Sequence, residues 1–105
     1  MRIEERTEIV LEGSDAVAHA VCACRPDVIS AYPISPQTHI LEALARMIAD
    51  GRLSAQYVLA DAEFSAASVL AGASAAGGRA YTASTSQGLL LMTEVIYACA
   101  GMRMP

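Results

Sequence analysis

The alternation of apolar and polar positions divides this chain into strand-sized and helix-sized pieces. Val17, Val21 and Cys24 recur at spacings of four and three, an apolar stripe of helical period. Gly13-Ser14-Asp15 opens that helix, with Ser14 as its expected N-cap and Asp15 favourable in its first turn. Pro26 closes it, because a proline pushes the preceding residue out of the helical region. Val28 to Tyr32 is a short apolar run with β-branched residues and reads as a buried strand. Pro33-Ile34-Ser35-Pro36 breaks the run, and Ser35 is expected to cap the next helix with Pro36 in its first position. Ile40, Leu41, Leu44, Met47 and Ile48 then mark an amphipathic helix that ends at Asp50-Gly51.

The pattern repeats. Tyr57 to Ala60 reads as a strand, and residues 62–76 as a helix of Ala, Ser and Gly with Glu63 in its first turn. Arg79 to Ala83 reads as a strand, Ser84 to Gly88 as a polar turn, and residues 88–100 as a last helix. Leu89, Met92, Val95, Ile96 and Cys99 form the apolar side of that helix, which makes Cys99 a core thiol. Glu8 to Leu11 suits an edge strand or an arm. Strand and helix alternate, with helices long enough for parallel crossovers. The expected class is therefore α/β, an open and mostly parallel sheet of about four or five strands with helices on both faces. The pattern stops at residues 101–105, where a further strand is expected. The fold is thus expected to be incomplete at its C-terminus, with an unpaired edge that weakens it in isolation.

Composition narrows the function classes. The chain has 105 residues, 54% of them hydrophobic, with one Phe, four Tyr and no Trp, so its core must be filled by aliphatic side chains. Its net charge is −4, without the clustered basic face that nucleic acid needs. No uninterrupted apolar run is long enough to span a bilayer. The acidic, polar start MRIEERTEIVLEG is unlike a signal peptide, so a cytoplasmic location is expected. Cys22, Cys24 and Cys99 lack the paired spacing of zinc or iron–sulfur ligands and read as structural thiols, and no metal ligand is assigned. His19 and His39 have no partner at ligand spacing.

Candidate chemistry gathers at the strand ends. Ligands of parallel α/β sheets bind beyond the carboxyl ends of the strands. Three junctions lie there: Tyr32 to Gln37, Ala60 to Glu63 and Ala83 to Gly88. They bring Tyr32, Ser35, Gln37, Asp61, Glu63, Ser84, Thr85, Ser86 and Gln87 to one rim. Ser35, Asp61 and Ser86 can each be explained as helix caps, and Glu63 as an acid complementing the helix dipole. The glycines at 72, 77 and 78 fall late in a helix and fail the test for a dinucleotide loop.

Two segments, AYPISPQTHILEAL and the stretch ADAEFSAASVLAGASAAGGRAYTASTSQGLLLMTEVIYACAGMRMP, resemble the N-terminal pyrimidine-binding domain of 2-oxoacid:ferredoxin oxidoreductases. The resemblance runs from Val28 to Pro105, and S-Q-G-L-L-L-M-x-E with G-M-R-x-P is similar to the pyruvate type of alpha subunit. It implies that residues 1–105 are part of such a domain, in the thiamine diphosphate-binding fold. It also implies oxidative decarboxylation of a 2-oxoacid, pyruvate foremost, to an acyl-CoA, or the reverse. Glu63 matches the glutamate that bonds the aminopyrimidine and activates the cofactor. Tyr32, Pro33, Ser86 and Gln87 match cofactor-contacting positions, and Ser35 matches a usual threonine that faces the substrate. Asp61-Ala62-Glu63 replaces a more usual Glu-Ser-Glu. The resemblance implies a diphosphate-binding domain or beta subunit as partner, with Mg²⁺ and iron–sulfur clusters held by other domains or subunits. Coenzyme A and ferredoxin would act through the assembled enzyme, and this stretch alone would be inactive. The competing expectation is a non-catalytic module of the same fold that pairs with a diphosphate-binding partner.

Overall fold

The computed structural model describes residues 8–105; the expectation about the first seven residues lies outside that range. The elements in chain order are α1 (Gly13–Ala23), β1 (Val28–Ala31), α2 (Thr38–Ala49), β2 (Gln56–Leu59), α3 (Glu63–Ala75), β3 (Ala80–Tyr81), α4 (Gln87–Leu91) and α5 (Thr93–Gly101). The strands form one parallel sheet in the order β2-β1-β3. The α/β class and the open parallel sheet are as expected. Among the described residues the sheet has three strands, and Glu8 to Leu11 is an exposed arm that joins none of them.

The period of two along β1 separates the two faces of the sheet. Ile29 and Ala31 are buried with Ala18 of α1 and Leu41, Leu44 and Met47 of α2. Each large aliphatic side chain removed from water there contributes roughly 1.5–3 kcal/mol. Ser30 points the other way, toward α3, and is fully buried. Helix α3 has no stripe of large apolar residues; its buried positions are Glu63, Ala66 and Ala67. Small size is what lets its backbone settle on the sheet. The Ser30 hydroxyl donates to the Ala66 carbonyl at 2.8 Å, a contact between strand side chain and helix backbone. Met92, with Tyr32, Ala60 and Val95 around it, completes this second cluster against Ala66 and Ala67.

Several local expectations change. Helix α1 starts at Gly13, because the Ala16 amide already bonds the Glu12 carbonyl at 2.9 Å, so Ser14 lies within the first turn instead of capping it. Ser35 is not the cap of α2, nor is Pro36 its first residue. The Thr38 amide closes onto Ile34 at 3.1 Å, residues 35–37 form a turn with a cis Ser35–Pro36 peptide, and the helix begins at Thr38. Strand β3 pairs with β1 only through Ala80 and Tyr81. At the next position the Thr82 hydroxyl donates to the Ser30 carbonyl at 2.7 Å, a side chain where a longer strand would use backbone.

The last helix is two. The Met92 amide is shared between the carbonyls of Gly88 and Leu89, a tightened turn that separates α4 from α5. Met92 is the buried anchor at that bend. Leu89 and Ile96, expected on the apolar side, are 55% and 46% exposed, because the face beyond Met92 meets no further layer among the described residues. Cys99 is half-buried and not a core thiol.

Two predictions test this packing. Ser30→Val removes the bond to Ala66 and adds bulk where α3 lies on the sheet; overpacking of this kind costs about 1–3 kcal/mol. A urea midpoint lowered accordingly, with Ser30→Ala less affected, is the expected outcome. The second concerns alkali. Burial, and secondarily the nearby Glu42 carboxylate, pushes the Tyr57 phenol up from its ordinary 10.0, and burial alone raises Tyr81. A phenol with a raised folded value contributes fully below the unfolded value and loses that contribution as pH climbs through the folded one. Stability to urea should therefore decline above pH 10.0, and Tyr57→Phe combined with Tyr81→Phe should flatten that decline.

Candidate functional site

All three strands point their carboxyl ends the same way, so the junctions after β1, β2 and β3 share one edge of the sheet. Glu63 is the first residue of α3 and is only 7% exposed. A carboxylate taken out of water at this depth is costly unless something meets it, and the helix N-terminus supplies only part of that. Its neighbour Asp61 behaves differently. Asp61 is exposed and accepts a bond from the Ser65 hydroxyl at 2.6 Å, which accounts for it locally.

What lies against Glu63 comes from the third junction. A Cβ placed on Gly88 would sit 2.2 Å from the Ser84 hydroxyl oxygen, 3.1 Å from Glu63 Cγ and 3.3 Å from Glu63 Oε1. The backbone of Gly88 is thus pressed onto both side chains, and the position requires glycine for want of space. The Ser84 hydroxyl is fully buried and has no hydrogen-bond partner. An unpaired buried hydroxyl of this kind is a net cost of roughly 1–3 kcal/mol.

The other expected residues distribute around this cluster. Tyr32, just after β1, is half-buried and packs on Ala66, Ala67 and Met92 beside the first turns of α3. Pro33 and Ser35 are exposed on the same edge, Ser35 in the turn before α2. Ser86 occupies the N-cap position of α4 with φ 53° but without a side-chain capping bond, and Gln87 begins that helix; both are exposed. These residues therefore lie at the three junctions on one edge of the sheet, with Glu63 and Ser84 both close beneath Gly88. Ser84 is among the rim residues expected from the sequence, though without a role of its own, and Gly88 is expected there only as the end of the polar turn. The glycine in S-Q-G was the available signal, yet its reason is a tertiary contact 25 positions upstream, at Glu63.

Residues 19–105 match the family model described as pyruvate flavodoxin/ferredoxin oxidoreductase, thiamine diphosphate-binding. The chain belongs to this family. It is 59% identical over 98 residues to the pyruvate synthase subunit PorA of Methanosarcina barkeri, covering 92% of this chain and 24% of that protein. It is 46% identical over 97 residues to the alpha subunit of NADH-dependent phenylglyoxylate dehydrogenase of Aromatoleum evansii, covering 92% and 23%. Among solved structures it resembles 2-oxoglutarate:ferredoxin oxidoreductase of Magnetococcus marinus, bound to 2-oxoglutarate, coenzyme A and succinyl-CoA. That likeness has a TM-score of 0.74 and 32% identity over 80% of this chain and 14% of that one. The chain spans about a quarter of the length of the PorA relatives it matches.

The residues present suit the cofactor for which the family is described. A buried carboxylate, an unpartnered buried hydroxyl and a bare backbone position adjoin one another at the strand edge where ligands bind. Among the described residues, no cluster of His, Cys, Asp or Glu is arranged to hold a metal ion, and no helix is long and apolar enough to cross a membrane.

The crowding at Gly88 yields a prediction. Gly88→Ala inserts a methyl group against Ser84 and Glu63 and should lower the thermal midpoint by an amount corresponding to roughly 1–3 kcal/mol. In the Ser84→Gly background the same substitution should cost markedly less, which a melting series of the four chains would show.

Proposed function

We propose that this chain forms the pyrimidine side of a thiamine diphosphate site in a 2-oxoacid:ferredoxin oxidoreductase, with pyruvate as the 2-oxoacid. The observation that carries the reading is the burial of Glu63 at the head of α3, on the rim where all three strand ends meet. When bound, thiamine diphosphate supplies the electron sink for decarboxylating a 2-oxoacid or for the reverse carboxylation.

This chain's own residues hold and orient. Glu63 bonds the ring nitrogen N1′ of the aminopyrimidine and keeps a proton at that atom, a role that needs a carboxyl group shielded from bulk water. Tyr32, packed against the cluster of Ala66, Ala67 and Met92, forms a wall for the ring together with Pro33. Ser86 and Gln87 approach the cofactor from the start of α4, and Ser35 faces the substrate from the turn before α2. The diphosphate, Mg²⁺ and iron–sulfur clusters belong to a diphosphate-binding domain or beta subunit and to other parts of the assembly. Electrons leave to ferredoxin, the acyl group leaves on coenzyme A, and the enzyme works in the cytoplasm.

Glu63→Gln in the assembled enzyme tests the assignment. Assembly and melting temperature should be retained, while pyruvate-dependent ferredoxin reduction and exchange of the thiazolium C2 proton fall by about 100-fold or more. Unchanged C2 exchange would overturn the role of Glu63. The exposure of Leu90 and Tyr97 on α4 and α5 favours a second reading, a module whose task is to pair with a partner subunit. Association with a diphosphate-binding partner but no turnover, with cofactor and coenzyme A supplied under anaerobic conditions, would select it.

A further inference from the structure

The unpaired hydroxyl of Ser84 has no use in the reading above, yet it is buried against the acid on which that reading rests. Its oxygen and Glu63 Oε1 border the same small volume beneath Gly88, at 2.2 and 3.3 Å from the point a Cβ would occupy. Ser84 also reaches a cavity of about 300 Å³ between α3 and α5. That cavity opens beside the exposed Leu89 and Ile96, whereas the Ser84 hydroxyl oxygen itself is sealed from solvent. Of the side chains lining it, Ala67, Leu70, Met92 and Val95 are apolar, and the Thr82 hydroxyl is already committed to the Ser30 carbonyl at 2.7 Å. The side-chain acceptor that shares the space beneath Gly88 with this hydroxyl is the Glu63 carboxylate, whose Oε1 lies 3.3 Å from the same point.

We infer that Ser84 is a positioning residue for Glu63: its hydroxyl donates to the carboxylate and fixes which oxygen faces the cofactor ring, while Gly88 keeps the space both side chains need. Glu63 then presents one oxygen inward, held by Ser84, and one outward for the pyrimidine. No covalent step is involved. The inference depends on the proposed role of Glu63, and the experiment separates the two.

The assembled enzyme is prepared as wild type, Ser84→Ala, Ser84→Thr, Glu63→Gln and the double variant Ser84→Ala/Glu63→Gln. Two quantities are measured on each: affinity for thiamine diphosphate, and the circular dichroism of the bound pyrimidine as its tautomers exchange with pH. Ser84→Ala should weaken binding roughly tenfold to a hundredfold, the scale of a lost hydrogen bond to a charged group, and should shift the pH profile of the tautomers. Ser84→Thr keeps the hydroxyl and should restore most of both. In the Glu63→Gln background, Ser84→Ala should add little, since the partner it orients is gone. A wild-type profile in Ser84→Ala beside an altered one in Glu63→Gln overturns the role of Ser84 alone. Full additivity of the two substitutions overturns it as well. A wild-type profile in Glu63→Gln overturns the assignment of Glu63, and the role of Ser84 with it.

Discussion

The close seating of α3 on β1 is the constraint on which the rest of this structure depends. Ser30 is buried on the face opposite Ile29 and Ala31, and its hydroxyl bonds the Ala66 carbonyl at 2.8 Å. That distance is possible because Ala66 and Ala67, not larger residues, face the sheet. It sets the height of the helix, and through it the height of Glu63 one turn earlier. With a Leu or Ile at position 66 the helix would ride higher, and the acid would move out of the crowded edge toward water. The composition of α3 is therefore a positioning device as much as a packing solution.

Much of this was legible in the chain itself. The helical spacing from Ile40 to Ile48 and the β-branched apolar run from Val28 to Tyr32 announced α2 and β1, and with them the α/β class. Both signals come from side chains that bury against one another in large numbers, so local pattern and tertiary structure agree. Where they disagreed, the cause was tertiary. Ser35 and Pro36 have the local chemistry of a helix start, but a turn closed by Thr38 onto Ile34 intervenes. Leu89 and Ile96 have the period of a buried face, yet a three-stranded sheet offers that face no cover among the described residues. The site divides the same way. Glu63 stood out because an acid among alanines is conspicuous. Ser84 and Gly88 did not, because a serine in a polar turn and a glycine before a helix are ordinary locally and acquire meaning only against the glutamate.

The relatives it resembles are named for pyruvate and phenylglyoxylate, and its structural neighbour for 2-oxoglutarate. Similarity over these residues thus goes with the cofactor the family is described by, and not with one 2-oxoacid. That agrees with the layout of the edge, where the buried groups crowd around Glu63 while Ser35, the residue assigned to substrate, stands exposed at its margin.

Residue 30 is joined to the site twice, and its two bonds run in different directions. Its hydroxyl grips α3, the element that begins with Glu63, and its carbonyl receives the Thr82 hydroxyl at 2.7 Å, two residues before Ser84. One strand residue thus tethers both the segment bearing the acid and the segment bearing the hydroxyl beside it. The acid and the hydroxyl beside it are referred to one anchor in the central strand, and a substitution at residue 30 would disturb both at once.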